Sequence, residues 1–323
     1  MFNAPDREPY GRRPPGSRIA GLGHYRPDRV MRSETVASRL GVDASWIRDR
    51  TGIEERRVAG PRETVVTMGV AAARAALAST AGTVGDIDTV ITATSTALSP
   101  IPSAAAQVAA GSGVTGAAAF DLNTACAGFC YALACADSLI RSGTSRGVLV
   151  VAADKSTDWV DWDDRDTAIL FGDGAGAAVV VPADVPHIGP VVWGSVGEKH
   201  RAVYIDEGHR TFRQDGRSVF RWATGLGPVV RGICARTGID PADLAAFVPH
   251  QANLRIVSAL ARELEAGKAV VAEDVRWSGN TIAATVPLAL SRMAEAGELP
   301  LGKPVLLFGF GAGLAYAGQI VVL

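Results

Sequence analysis

Cys126, His250 and Asn280 are the side chains of this sequence whose surroundings best suit a reaction. Cys126 follows Asn123-Thr124-Ala125 and precedes Ala127-Gly128-Phe129. A cysteine at a strand-to-helix turn sits on the positive end of the helix dipole, which stabilises a thiolate. Its small neighbours allow a carbonyl to come close. The plainer reading is a packing cysteine, and that reading is preferred for Cys130 and Cys135, deeper in the same expected helix. His250 stands in Val-Pro-His-Gln-Ala-Asn, at the exit of an apolar strand, where α/β folds place active groups. Asn280, in Trp-Ser-Gly-Asn-Thr-Ile-Ala-Ala, reads by itself as a helix N-cap. Gly311-Ala312-Gly313 can bend the backbone so that an N–H faces the Cys126 turn, which would complete an oxyanion hole. Trp46, Arg48, Arg50 and Arg165 offer an aromatic face and guanidinium groups for an adenine ring and phosphates, or simply a solvated surface.

The elements expected to hold these residues alternate. Strands are expected at Ser17–Gly23, Asp88–Thr94, Ala117–Leu122 and Gly147–Ala153, with helices over Thr64–Thr80, Ser103–Ala110 and Cys126–Ser142. A charged loop is expected from Asp154 to Asp166, then a glycine turn at Gly172-Asp-Gly-Ala-Gly feeding a strand. That turn lacks the Lys-Ser/Thr ending of a phosphate loop. The second half repeats the order: a strand at Ala245–Pro249, a helix over Asn253–Ala266, another from near Asn280 to about Ala296, a strand at Pro304–Phe310, and Gly311-Ala-Gly feeding a final strand. Helix, strand, Gly-Ala-Gly, strand thus occurs after Cys126 and again after Asn280. Two such halves predict a duplicated α/β fold, with the two helix starts facing one centre across a pseudo-twofold axis. The expected division is a disordered lead-in over 1–16, a first half over 17–182 and a second over 183–323.

Composition narrows the function classes. The chain has 323 residues, 48% hydrophobic and 20% charged, enough for a large core. The net charge of −1 argues against sequence-independent nucleic-acid binding. The cysteines at 126, 130, 135 and 234 form no zinc-type spacing, so no metal site is expected. The first residues contain no apolar run of the secretory type, and the uncharged stretch Thr89–Phe120 is broken by proline and glycine, so it reads as core and interface and not as a membrane span. The expectation is a cytoplasmic enzyme in a reducing compartment.

Ala-Cys-Ala-Gly-Phe, Pro-His-Gln-Ala-Asn and Ser-Gly-Asn-Thr-x-Ala-Ala, in that order, resemble β-ketoacyl-acyl-carrier-protein synthase III, of the thiolase-like condensing enzymes. The resemblance runs from about residue 17 to the end. It includes Trp46-Ile with Arg50-Thr-Gly-Ile, Glu63-Thr-Val, Phe171-Gly-Asp-Gly-Ala-Gly-Ala-Ala and Asp215-Gly-Arg-x-Val-Phe. It implies duplicated βαβαβ halves in a five-layer α-β-α-β-α arrangement and a homodimer through the first half. It implies Cys126 as the acylated nucleophile, His250 and Asn280 as the pair that binds the malonyl thioester, and the N–H groups of Cys126 and Ala312 as the oxyanion hole. By the same resemblance Trp46, Arg50 and Arg165 meet coenzyme A, while Gly216, Phe220 and Asn253 line its pantetheine tunnel. Arg255 and Arg221 meet an acidic carrier protein, and Ile101 and Phe310 bound the acyl pocket, Ile101 from the partner subunit. The implied reaction joins an acyl-CoA primer to malonyl-acyl-carrier protein with loss of CO₂, starting a fatty-acid or polyketide chain. It needs no cofactor, nucleic acid or membrane. A same-fold acyltransferase, a polyketide starter enzyme using a non-acetyl primer and a non-catalytic partner subunit are the competing readings. The last is disfavoured by the presence of all three reactive residues. Asn123-Thr124 stand where the pattern has smaller residues, and Ile282 where it has serine. Asp166 stands where some members have glycine, and the segment between Gly197 and Arg213 is short. Asn123 and Ile282 bear on the acyl pocket.

Overall fold

The computed structural model describes residues 14–80 and 86–323. The lead-in expected over 1–16 falls, for residues 1–13, outside the described residues, and the first strand already begins at Gly16.

Two five-stranded sheets organise the chain. In the first, Gly16–Tyr25 lies at one edge, followed by Asp173–Ala183, Val148–Lys155, Thr89–Ala93 and Ala118–Leu122. In the second, Val192–Ser195 is followed by Ala315–Val322, Pro304–Gly311, Ala246–Pro249 and Val270–Val271. Counted in chain order, the strands of both sheets run 1-5-4-2-3. In both, strand 2 pairs parallel with strands 3 and 4, and the other pairs are antiparallel. Order and direction therefore both repeat, which is the duplication that the sequence echo predicts.

Helices make the remaining layers. Val65–Ser79 and Ala104–Ser112 pack on the outer face of the first sheet, around Met68, Ala72, Val108 and Val151. Thr64 caps the longer of these two helices, accepting from the Thr67 N–H while the Thr67 hydroxyl accepts from the Thr64 N–H. Gly128–Arg141 and Thr285–Glu295 fill the space between the sheets, around Phe129, Leu133, Val150, Val286 and Leu307. Gly227–Thr237 and Leu254–Leu264 cover the outer face of the second sheet. The result is the five-layer thiolase-like arrangement.

Three expectations need correction. The stretch from Cys126 is not α-helical from its first residue: Ala125–Ala127 forms a 3₁₀ turn and the α-helix begins at Gly128. Asp154 and Lys155 are the end of a strand, not the start of a charged loop, and Asp154 is fully buried. Gly174-Ala-Gly176 lies inside the Asp173–Ala183 strand. Its glycine serves close packing: a Cβ on Gly176 would stand 2.6 Å from the Leu288 nitrogen of the central helix.

Candidate active site

Both central helices open with the same local structure. Asn123-Thr124 precede the 3₁₀ turn Ala125–Ala127, and Asn280-Thr281 precede the 3₁₀ turn Ile282–Ala284. Asn123 Oδ1 accepts the Ala125 N–H at 3.2 Å, and Asn280 Oδ1 accepts the Ile282 N–H at 2.9 Å. Ala125 and Ile282 both take left-handed backbone, at φ 46° and 53°. The two turns pack on each other, and a Cβ on Gly128 would come within 3.3 Å of Ala283 Cβ. The helix starts therefore do meet at one centre, as the repeated order of helix, strand, Gly-Ala-Gly and strand predicts; the matching Asn-Thr dipeptides are a signal that the sequence reading did not use.

Cys126 stands in the first of these turns, on the N-terminal side of the Gly128–Arg141 helix. The backbone N–H groups of Ala312 and of Cys126 itself act on its Sγ. Gly311 lets that approach happen: a Cβ there would lie 2.7 Å from Cys126 Sγ. Burial, with the Asp154 charge added, pushes the thiol up to about 12, against the pull of the two N–H groups. The resting residue is a neutral thiol.

His250 leaves the Ala246–Pro249 strand with its N–H on the Phe308 carbonyl at 2.7 Å. Its ring meets Phe310 edge-on at 5.2 Å, and burial pushes its pKa down to about 3. The imidazole is neutral at physiological pH, and one nitrogen is a donor. Nδ1 lies 2.6 Å from Thr285 Oγ1, whose hydroxyl also reaches the Ile282 carbonyl at 3.0 Å. The neighbouring Gln251 is structural: its amide bridges the Pro249 and Ala272 carbonyls and accepts from the Val275 N–H.

Asn280 is tied across the two halves. Its N–H donates to the Leu170 carbonyl, and its carbonyl accepts from the Gly172 N–H. With Oδ1 committed to Ile282, the amide NH₂ is the end left for a ligand. Asp154 braces the same turn from behind. One of its oxygens accepts from the Ser95 N–H and the Thr94 and Thr96 hydroxyls, and the other from the Ala283 N–H. Neither Asp154 nor Thr285 emerges from sequence reading, because each is an ordinary residue type whose partner lies more than 30 positions away.

Cys126, His250, Asn280 and Ala312 line one cavity of about 360 Å³. Its inner walls include Ile169, Phe171, Phe212, Ile282 and Phe310, with the Phe171 and Phe212 rings stacked at 4.4 Å. Its outer part is lined by Arg50, Gly216, Phe220 and Asn253. Asn253 caps the Leu254–Leu264 helix, and its NH₂ donates to the Arg50 carbonyl at 2.9 Å. The hairpin of Val203–Asp206 and Thr211–Gln214 supplies Val203, Tyr204, Ile205, Phe212 and Gln214 to the lining, walls that sequence reading did not foresee. Arg50 stacks over Trp46 at 4.1 Å, and Arg255 over Phe220 at 5.2 Å. Arg221 is exposed on the Gly216–Thr224 helix. Trp46 and Arg165 do not line the cavity, and Arg165 donates instead to the Leu40 carbonyl. Ile101 is 83% exposed and away from the cavity of its own chain.

Comparison with known proteins gives the family. Residues 120–197 match the family model for 3-oxoacyl-[acyl-carrier-protein] synthase III, and residues 234–323 match the model of its C-terminal part. A beta-ketoacyl-[acyl-carrier-protein] synthase III of Streptomyces coelicolor is 54% identical over 95% of this chain and 98% of that relative. One of Streptomyces avermitilis is 51% identical with the same coverage. Among solved structures, the priming β-ketosynthase of the R1128 polyketide pathway superposes with a TM-score of 0.93 at 43% identity, covering 99% of both chains. The synthase III of Aquifex aeolicus gives 0.91 at 35% identity, covering 95% of this chain and 100% of that one. With such identity over nearly its whole length, and with the paired helix starts around Cys126, the chain belongs to the 3-oxoacyl-[acyl-carrier-protein] synthase III family.

Proposed function

We propose that the protein condenses an acyl-CoA primer with malonyl-acyl-carrier protein, giving a 3-ketoacyl-carrier protein that starts a fatty-acid or polyketide chain. The observation that carries this is the convergence of Cys126, neutral His250 and the Asn280 amide on one apolar cavity.

In the first step Cys126 Sγ attacks the thioester carbonyl of acyl-CoA. The thiol proton leaves with the CoA sulfur as the C–S bond to CoA breaks. As the carbon bonds to Sγ, its oxygen comes within reach of the Ala312 and Cys126 N–H groups beside that sulfur. Malonyl-carrier protein then enters by the same tunnel. Its C–CO₂ bond breaks, and the electron pair moves onto the thioester oxygen as an enolate. His250 Nε2–H and the Asn280 NH₂ donate to that oxygen. Two neutral donors suit the step, because a strong acid nearby would protonate the carbanion. For Nε2 to carry the proton, the Thr285 hydroxyl must donate to Nδ1, over the shorter of its two contacts. The enolate carbon attacks the acyl-cysteine, and Cys126 leaves and regains a proton. The chemistry is carried by the substrates and these side chains, without a cofactor.

Arg50 and Trp46 would hold the adenine end of CoA, with Gly216, Phe220 and Asn253 around the pantetheine arm. Arg255 and Arg221 would face the acidic carrier protein. A second copy of the chain would cover the exposed Leu98, Ile101 and Phe120 beside the edge of the Ala118–Leu122 strand that is unpaired among the described residues, and its Ile101 would close the acyl pocket. Such an enzyme works in the cytoplasm, where CoA and carrier protein are found.

Release of CO₂ tests the reading. Carboxyl-labelled malonyl-carrier protein should lose label only when an acyl-CoA is also supplied, with ketoacyl product formed in equal amount. An acyl transfer without label loss would mark a same-fold acyltransferase instead.

A further inference from the structure

Ile282 is an unusual residue for its place. Its backbone takes φ 53°, a left-handed conformation that β-branched side chains rarely adopt. It is 3% exposed, lines the cavity, and packs in one apolar cluster with Ile169, Phe171 and Phe212, with Cys126 at the edge of that cluster. Its backbone is pinned on every side. The N–H donates to Asn280 Oδ1, the following N–H donates to Asp154, and the carbonyl lies 3.0 Å from the Thr285 hydroxyl that touches His250. A β-branched side chain is stiff at χ1. The sec-butyl group is thus a fixed wall beside the nucleophile, and it cannot withdraw without disturbing the amide and imidazole that its own turn orients.

We infer that Ile282 is a chain-length determinant: its side chain shortens the apolar chamber beside Cys126, so that short acyl primers load in preference to longer ones. This rests on the acyl-CoA reading above. Its reach differs from that of a residue that merely supports the fold, because it acts on the ratio between substrates and not on their common rate. Each methylene that gains room to be buried should favour the longer chain by about fourfold.

The test is the rate of Cys126 acylation, followed by intact mass, with acetyl-, butyryl-, hexanoyl- and octanoyl-CoA. The wild type should load acetyl and butyryl groups faster than octanoyl. I282A, which removes three carbons, should raise the hexanoyl-to-acetyl ratio by roughly tenfold or more. I282V, which keeps the branch and removes one carbon, should raise it by about fourfold and serves if I282A does not fold. Unchanged ratios in the folded variants, even with lower rates throughout, overturn the inference. A wild type that loads octanoyl as readily as acetyl also overturns it. A wild type that accepts no acyl group from any CoA overturns the underlying acyl-CoA reading, and the role of Ile282 with it.

Discussion

At the scale of single residues, the site works through neutral groups. Cys126 and His250 are both pushed toward their uncharged forms by burial, so the pair is a thiol and an imidazole at neutral pH, not an ion pair. Alkylation of Cys126 by iodoacetamide, read by peptide mapping, should therefore keep rising with pH beyond pH 9. A plateau below that would mean a stabilised thiolate. The Thr285 hydroxyl makes a second case. T285V should lower discharge of the acyl-enzyme by malonyl-carrier protein about tenfold, the worth of one lost hydrogen bond to a group whose tautomer matters, while loading from acyl-CoA changes less. Equal losses in both steps would make Thr285 a packing residue. Cys126, His250 and Asn280 could be singled out from sequence by the order of their motifs and by the echo between the two halves, since Asn280 alone reads as a helix cap and Cys126 alone could be a packing cysteine. Thr285 and Asp154 could not, because their importance comes from hydrogen bonds made across the fold.

At the scale of elements, the informative unit is the turn that opens each central helix. The sequence echo located both turns, but the α-helices begin only after a 3₁₀ turn, because Ala125 and Ile282 take left-handed backbone. Hydrophobic periodicity does not register such a local departure. Asp154 joins the second turn to Thr94–Thr96 and is buried, which raises its pKa to about 6. The fold therefore binds this proton more tightly than the unfolded chain does, although the carboxylate still predominates at pH 7. The group's contribution to stability is thus full below the ordinary carboxylate range and is lost as pH rises through 6. In urea titrations the wild type should gain about 1 kcal/mol relative to D154N between pH 7 and pH 5. A difference that is constant with pH, or that moves the other way, would show that Asp154 is ionised throughout. The Gly-Ala-Gly repeats were the less reliable part of the echo: the one at 311–313 opens a turn beside Cys126, while the one at 174–176 lies within a strand and serves helix packing.

At the scale of the whole molecule, the two sheets repeat the same order and strand directions, and Cys126 comes from one half of that repeat while His250 and Asn280 come from the other. This much was legible, since alternating strands and helices in two similar runs leave few topologies. The tunnel walls were not, because the Val203–Gln214 hairpin has no strong alternation or motif to announce it. The first sheet ends at Ala118–Leu122, whose outer edge is unpaired among the described residues and lies near exposed Phe120 and Ile101. In sedimentation experiments the wild type should be a dimer at micromolar concentration, and F120R should shift it toward monomer with loss of loading. A monomeric, active wild type would remove the partner from the acyl pocket.

The central claim is that one cavity holds an acyl-cysteine and then decarboxylates malonyl-carrier protein against it. Single-turnover intact-mass measurement on wild type, C126A and N280A tests it most directly. The wild type should take up one acyl group from acyl-CoA and lose it on addition of malonyl-carrier protein, C126A should take up none, and N280A should load normally but hold its acyl group at least tenfold longer, having lost one of the two donors to the enolate. Loading of C126A, or discharge of N280A at the wild-type rate, would contradict the account.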